Sequence, residues 1–187
     1  FMKKILGIDP SLTGTGLALA TKSEKGVVKW EHLSVAKNKL RGHERLHFIT
    51  DAVMCSVAIM KPDDIIVMEG PSFNSGGAKS HELSGSWWLI RHAIYEWEQM
   101  RHERFENLFV VPPRSRAKYA TGKGNAKKPE VIEAVNRWYP GCDVVDDNVA
   151  DAMVLATMGA RFCGSHIDEV LPEEFDRLTP LATMKRQ

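Results

Sequence analysis

Apolar and polar positions along the chain follow two periods, and the switches between them mark the elements. Lys4–Asp9 is an apolar run ending in Asp-Pro, a Gly/Thr turn covers Thr13–Gly16, and Leu17–Thr21 is apolar again. After a polar turn at Ser23–Gly26, Val27–Val35 reads as a third strand, and three strands joined by short turns predict an antiparallel meander. From Arg41 to Met60 the spacing becomes helical, with Leu46, Ile49, Val53, Val57 and Met60 on one face, until Lys61-Pro62 ends it. Asp64–Glu69 is short and otherwise apolar, the signature of a central parallel strand.

Pro71–Ser80 is a Gly/Ser/Asn loop. A long helix is predicted over Glu82–Glu103, with Leu83, Trp87, Ile90, Ile94 and Trp97 on one face. Leu108–Val111 reads as a further buried strand, stopped by Pro112-Pro113. A flexible basic loop at Thr121–Asn125 precedes a helix at Pro129–Trp138. The last helix, Asp147–Cys163, is apolar nearly all round and should lie buried. These elements predict one α/β domain over residues 1–163, followed by a polar tail, 164–187, that either packs or frays.

Composition changes this picture little. A chain of 187 residues with 43% hydrophobic and 26% charged residues has an ordinary globular make-up. No apolar stretch approaches the roughly 18–20 residues of a membrane span. The first strand begins at once, leaving no room for a signal peptide, and three scattered cysteines suit a reducing compartment. The expected location is the cytoplasm of a bacterial or phage-infected host cell. The cysteines also lack the paired spacing of a zinc site.

Charge is more informative in its distribution than in its total of +1. Between Pro112 and Arg137 stand Arg114, Arg116, Lys118, Lys123, Lys127, Lys128 and Arg137 against only Glu130 and Glu133, and Lys37, Lys39, Arg41 and Arg45 form a second basic stretch. Asp143–Asp151, by contrast, is acidic. Basic flanks around an acidic pit suit an enzyme that acts on a polyanion and binds metal.

The carboxylates sit where apolar residues would be expected. Asp9 and Glu69 each end an apolar strand, and Asp147 and Asp151 open a buried helix, at i and i+4 on one face. Desolvating such charges without partners costs several kcal/mol each. Loops after the carboxyl ends of adjacent parallel strands converge on one crevice, so Asp9 and Glu69 are expected to be neighbours. Carboxylates about 4–5 Å apart repel by roughly 3–4 kcal/mol per pair at an effective dielectric near 20, so a shared proton or a divalent cation is needed. An oxygen-only ligand set selects Mg²⁺, with Mn²⁺ as substitute, over zinc. Two such ions roughly 4 Å apart suit in-line phosphodiester cleavage. At the helix start, Asp146 is as well suited to capping as to metal binding.

Gly7-Ile8-Asp9-Pro10-Ser11-Leu12-Thr13-Gly14-Thr15-Gly16, then Val67-Met68-Glu69-Gly70, then Asn148-Val149-Ala150-Asp151-Ala152 together resemble the RuvC-type Holliday-junction resolvases, phage-encoded as much as bacterial. Thr121–Lys128 stands between the last two motifs, and the resemblance spans roughly Lys4–Arg161. It implies an RNase H-like fold with a five-stranded mixed sheet flanked by helices, and Mg²⁺-dependent nicking of branched DNA by a homodimer. By position it makes Asp9, Glu69 and Asp151 metal ligands. Asn148 stands where the family often has an acidic residue or histidine, which leaves the fourth ligand open among Asp147, Asp146 and Asn148, with Asp147 preferred. Lys128 falls on the family's basic residue for the scissile phosphate, and Phe73 on the aromatic inserted near the junction centre. Arg114, Arg116, Lys118, Lys123 and Lys127 complete the expected DNA contacts.

Two other functions share some of these features. An actin-like phosphotransferase also uses Asp and Thr-Gly turns, but needs two such domains and a second phosphate loop. A non-catalytic junction binder of the same fold is compatible with Asn148. His43 and His47 are an i, i+4 pair without a third ligand, Trp87, Trp88 and Trp97 are candidates for core or dimer contacts, and Gly122-Lys123-Gly124 lacks the Gly-Lys-Ser/Thr of a Walker A loop.

Overall fold

Two adjacent parallel strands set the position of everything that matters for the site. The computed structural model describes residues 2–35, 39–71, 79–169 and 172–187. In it β1 (Lys3–Asp9) pairs in parallel with β4 (Ile65–Glu69), with Ile8 opposite Met68. On one side of β1 lie β2 (Thr15–Lys22) and β3 (Val28–Val35), the antiparallel meander expected from the sequence. On the other side β4 pairs in parallel with β5 (Asn107–Val111), and β5 pairs antiparallel with β6 (Lys185–Arg186). The sheet order is β3-β2-β1-β4-β5-β6.

The sheet therefore has six strands where five were expected. The extra strand is two exposed charged residues long, too short to show a period of two, and besides its backbone pairing the Arg186 side chain donates to Asn107 at 3.4 Å.

Alternation along the strands builds two cores. Leu6, Ile8, Ile66 and Met68 face α1 (Gly42–Val57) and α2 (Lys79–Arg101), where Ile49, Val53, Ile90 and Ile94 complete a buried layer. Ile5, Ile65 and Val67 face α3 (Pro113–Thr121), α4 (Lys128–Trp138) and α5 (Asp147–Phe162). Helix α5 is buried almost throughout from Val149 to Ala160, as its apolar circumference predicted. It lies so close to the sheet that a Cβ on Gly7 would fall 1.9 Å from the Ala152 carbonyl oxygen, and one on Gly16 1.9 Å from that of Asn148. The glycines of the first motif thus let the start of α5 settle over the carboxyl end of β1.

The strand stop at Pro112-Pro113 is also the start of helix α3, which the apolar pattern does not predict. Proline also suits the first helical position, where its missing N–H would have no partner.

The described residues beyond 163 pack against the rest of the chain. Met184 belongs to the core, and the Gln187 amide donates to the Leu108 carbonyl at 2.9 Å. The Asp168 side chain is fully buried and accepts from Arg161 (2.8 Å), Arg177 (2.9 Å) and the Tyr119 hydroxyl (3.0 Å). The Arg177 guanidinium lies between the Tyr119 and Trp138 rings, 4.8 and 4.6 Å from their centroids. This polar knot ties the tail to α3, α4 and α5.

Candidate active site

Asp9 and Glu69 continue the alternation of Gly7 and Val67, so both carboxylates leave the sheet side by side on the face covered by α5. Each strand end is held from its flank. After Asp9, the Thr15 hydroxyl donates to the Ser11 carbonyl (2.7 Å) and accepts from the Ser11 amide (3.1 Å), closing the turn into β2. After Glu69, the Trp87 indole donates to the Glu69 carbonyl at 2.8 Å and the Gly70 amide to the Val111 carbonyl at 2.8 Å.

At the start of α5 the four neighbouring polar residues divide their work. Asp146 is the N-cap, accepting from the amides of Asn148 (2.9 Å) and Val149 (3.1 Å) and from the Asn148 side chain (3.2 Å). Burial pushes its carboxyl up, but the Val149 amide, the Asn148 side chain, Ser34 and the Asn148 amide outweigh that and hold it below the usual range. Asn148 is spent on that cap and packs its amide against Gly14. Asp147 pairs with Lys128 at the start of α4, and Asp151 pairs with Arg116.

Electrostatics bind these groups into one site. Asp9 is 7% exposed, and burial first, then the Glu69 charge, drives its carboxyl well above the ordinary range. Asp147 adds to that rise, while Arg116 and Lys128 oppose it. Burial likewise raises Glu69, against the pull of Arg116. Arg116 reaches in from α3, its Nε on Glu69 and its Nη1 on Asp151, and its side chain is only 12% exposed. Five of the sequence-derived residues, Asp9, Glu69, Asp147, Asp151 and Lys128, are therefore drawn together, and Arg116 lies among the carboxylates rather than on the outer surface.

The other basic candidates lie on α3 and in the segment between α3 and α4. Arg114, Lys123 and Lys127 are exposed and Lys118 half-buried. Lys123 pairs with Glu130 at 3.3 Å, and the Glu130 carboxylate accepts from the Lys127 amide at 2.7 Å, fixing the start of α4. Phe73 lies outside the described residues. His43 and His47 are exposed on α1, with His47 paired to Asp51 at 3.2 Å, well away from the acidic set in the fold.

No family model matches the chain. It is 27% identical over 157 residues to the crossover junction endodeoxyribonuclease RuvC of Rickettsia typhi, an alignment covering 81% of this chain and 93% of that one. To the protein of the same name from Wolbachia pipientis wMel it is 26% identical over 166 residues, covering 88% and 98%. Among solved structures, Thermus thermophilus RuvC in complex with a Holliday junction substrate superposes with a TM-score of 0.63 at 18% identity, over 87% of this chain and 97% of that one. The chain is similar to RuvC proteins over most of its length. The resemblance carried by the three motifs thus extends over nearly the whole length of these relatives, and the fold is RNase H-like α/β.

The donor set fits a hard cation: Asp9, Glu69, Asp147 and Asp151 offer only oxygens, and Asp9 is buried beside other negative charge. Among the described residues, however, no three such side chains are grouped so as to hold an ion, and two of the chain's own cations sit on the carboxylate oxygens, Arg116 on Glu69 and Asp151 and Lys128 on Asp147. Sequence reasoning placed Arg116 with the outer phosphate contacts. The signal that could have moved it inward is the proline-initiated helix, which brings residue 116 back toward the end of β4. Among the described residues, no helix is long and apolar enough to cross a membrane.

Proposed function

We propose that the protein is a metal-dependent endonuclease that cleaves Holliday junctions or other branched DNA, acting in the cytoplasm of a bacterial or phage-infected cell. The observation that supports this most is the convergence of Asp9 and Glu69, from adjacent parallel strand ends, with Asp147, whose charge reaches Asp9, and with Asp151, joined to Glu69 through Arg116. Its similarity to RuvC proteins supports the substrate class.

In this reading Asp9, Glu69, Asp151 and Asp147 hold Mg²⁺, for which Mn²⁺ substitutes. Water activation and stabilisation of the leaving oxygen are the chemistry that the bound metal supplies in two-metal phosphodiester hydrolysis. The protein's own groups do the rest. Asp146 fixes the first turn of α5 and so aims Asp147 and Asp151. Lys128, 75% exposed and paired with Asp147, bridges the acidic pit and solvent, where it would hold the scissile phosphate and favour its developing charge. Arg114, Lys118, Lys123 and Lys127 would track the neighbouring backbone phosphates, making affinity fall steeply with salt. Phe73 would enter the junction centre, where an aromatic stacked on an unpaired base contributes about 1–3 kcal/mol.

The reading includes an isologous homodimer, since two symmetric cuts require a two-fold axis. Trp88 (66% exposed), His92 and Tyr95 form one solvent-facing stripe of α2 that supports such a contact.

The test is a labelled four-way junction incubated with Mg²⁺. Wild type is expected to nick it, and Asp9→Asn or Glu69→Gln to reduce the rate at least about a hundredfold, the scale on which removing one transition-state stabiliser acts. No nicking, or nicking undiminished in both variants, sinks the proposal. A second reading, a junction binder without catalysis, is favoured by the Arg116 pairing with Glu69 and Asp151, and junction affinity without any metal binding would put it first.

A further inference from the structure

Arg116 has no place in the chemistry above, yet it is among the most committed side chains in the molecule. Arg114 on the same helix is exposed, whereas Arg116 turns inward and places one guanidinium on two carboxylates from different elements, Glu69 of β4 and Asp151 of α5. Both acceptors are themselves mostly buried, with side chains 13% and 15% exposed. Carboxylates so placed need a positive partner, because water no longer solvates them. The guanidinium meets that need with fork geometry suited to two acceptors.

We propose that Arg116 is an internal counter-cation that competes with divalent metal for Glu69 and Asp151, so that loading the site requires its side chain to leave. This rests on the reading that those carboxylates bind metal. The guanidinium holds Oε2 of Glu69 and Oδ1 of Asp151 and places its positive charge between the two groups, so a divalent ion drawn to the same carboxylates is repelled while it stays. Helix α3 itself need not move: its backbone is anchored one turn on, where Tyr119 is fully buried, hydrogen-bonded to Asp168 and stacked against Arg177. Only the flexible methylene chain has to swing. A phosphate of bound nucleic acid then offers the guanidinium a replacement anion. The arginine therefore keeps the carboxylates paired in the metal-free protein and lowers the apparent metal affinity by the fraction of time the pair is closed.

The experiment is calorimetric titration of Mn²⁺ alone into the full chain, with wild type, Arg116→Gln, Arg116→Lys and Asp9→Asn compared, and thermal melts in chelator and in Mn²⁺. Arg116→Gln is expected to bind Mn²⁺ about tenfold more tightly than wild type, since a pair closed about nine-tenths of the time withholds that factor. It should also melt lower in chelator and gain more from Mn²⁺. Arg116→Lys, which keeps the charge but lacks the fork, should fall between them, and it decides the matter if the glutamine variant does not fold. Equal or weaker Mn²⁺ binding by the arginine variants, with wild type binding and Asp9→Asn weakened, overturns this inference and leaves the metal reading standing. No binding by wild type, or binding that Asp9→Asn does not alter, overturns the metal reading and this inference with it.

Discussion

Asp168→Asn tests whether the tail is part of the folded core. The carboxylate is fully buried, and its two oxygens have different partners: Oδ1 accepts from Arg161 Nε (3.0 Å) and Nη2 (2.8 Å), Oδ2 from Arg177 Nη2 (2.9 Å) and the Tyr119 hydroxyl (3.0 Å). Asparagine preserves the shape but has a single acceptor oxygen. Its amide nitrogen must then face donors on one side or the other, and two guanidiniums, one of them only 4% exposed, lose the carboxylate they share, Arg177 keeping Glu174 at 3.6 Å. Removing one member of a buried ion pair costs about 3–5 kcal/mol. For a domain of this size, each kcal/mol lowers Tm by roughly 2–4 °C, giving a drop of about 6–20 °C. Urea denaturation followed by circular dichroism gives the free energy directly, and a thermal melt gives Tm. The exposed Lys29–Glu31 pair, 3.3 Å apart, is the internal control, and Glu31→Gln should stay within about 1 kcal/mol of wild type. Tyr119→Phe, which removes only the phenol, should cost about 1 kcal/mol and keeps the series measurable if the asparagine variant is largely unfolded. A cost for Asp168→Asn as small as that of Glu31→Gln would show that the tail does not contribute to the stability of the domain, and the reasoning would fail.

Two further outcomes follow from the same packing. Of the three tyrosines, Tyr95 is exposed, while burial drives the phenols of Tyr119 and Tyr139 far above the ordinary range, with Asp168 adding to both and the Thr157 hydrogen bond partly opposing the rise at Tyr139. A raised folded value means stability is intact below the unfolded pKa and is lost as pH rises above about 10, by about 1.4 kcal/mol per pH unit for each of the two. Tyrosinate absorbance should show one phenol titrating reversibly in the native protein and two appearing only with unfolding; three titrating together in the folded state would contradict the burial. Gly7→Ala would place a methyl 1.9 Å from the Ala152 carbonyl oxygen and lift α5 from β1. It should destabilise by about 1–3 kcal/mol or more and impair junction nicking beyond the stability loss, and a wild-type melt with wild-type nicking would contradict the tight helix–sheet approach.

The order of elements and the chemistry of their ends were legible without coordinates, because both are local. A parallel strand buried on both faces has to be apolar, so a carboxylate at its end stands out, as Asp9 and Glu69 do. A helix apolar on all sides has to be interior, so Asp151 within it stands out too. That both strand-end carboxylates leave one face follows from the register of β1 on β4, with Ile8 opposite Met68. What the sequence left open was settled by directions in space. Whether Asp146, Asp147 or Asn148 faces the pit depends on which of them caps α5, and the structure gives that task to Asp146 with Asn148 behind it. A sixth strand of two residues carries no periodic signal. Arg116 reads as one more basic residue in a basic run until α3 is anchored through Tyr119 to Asp168 and Arg177, residues far along the chain whose pairing depends on long-range packing. The acidic set belongs to the sequence; the cation seated in its midst is a consequence of tertiary structure.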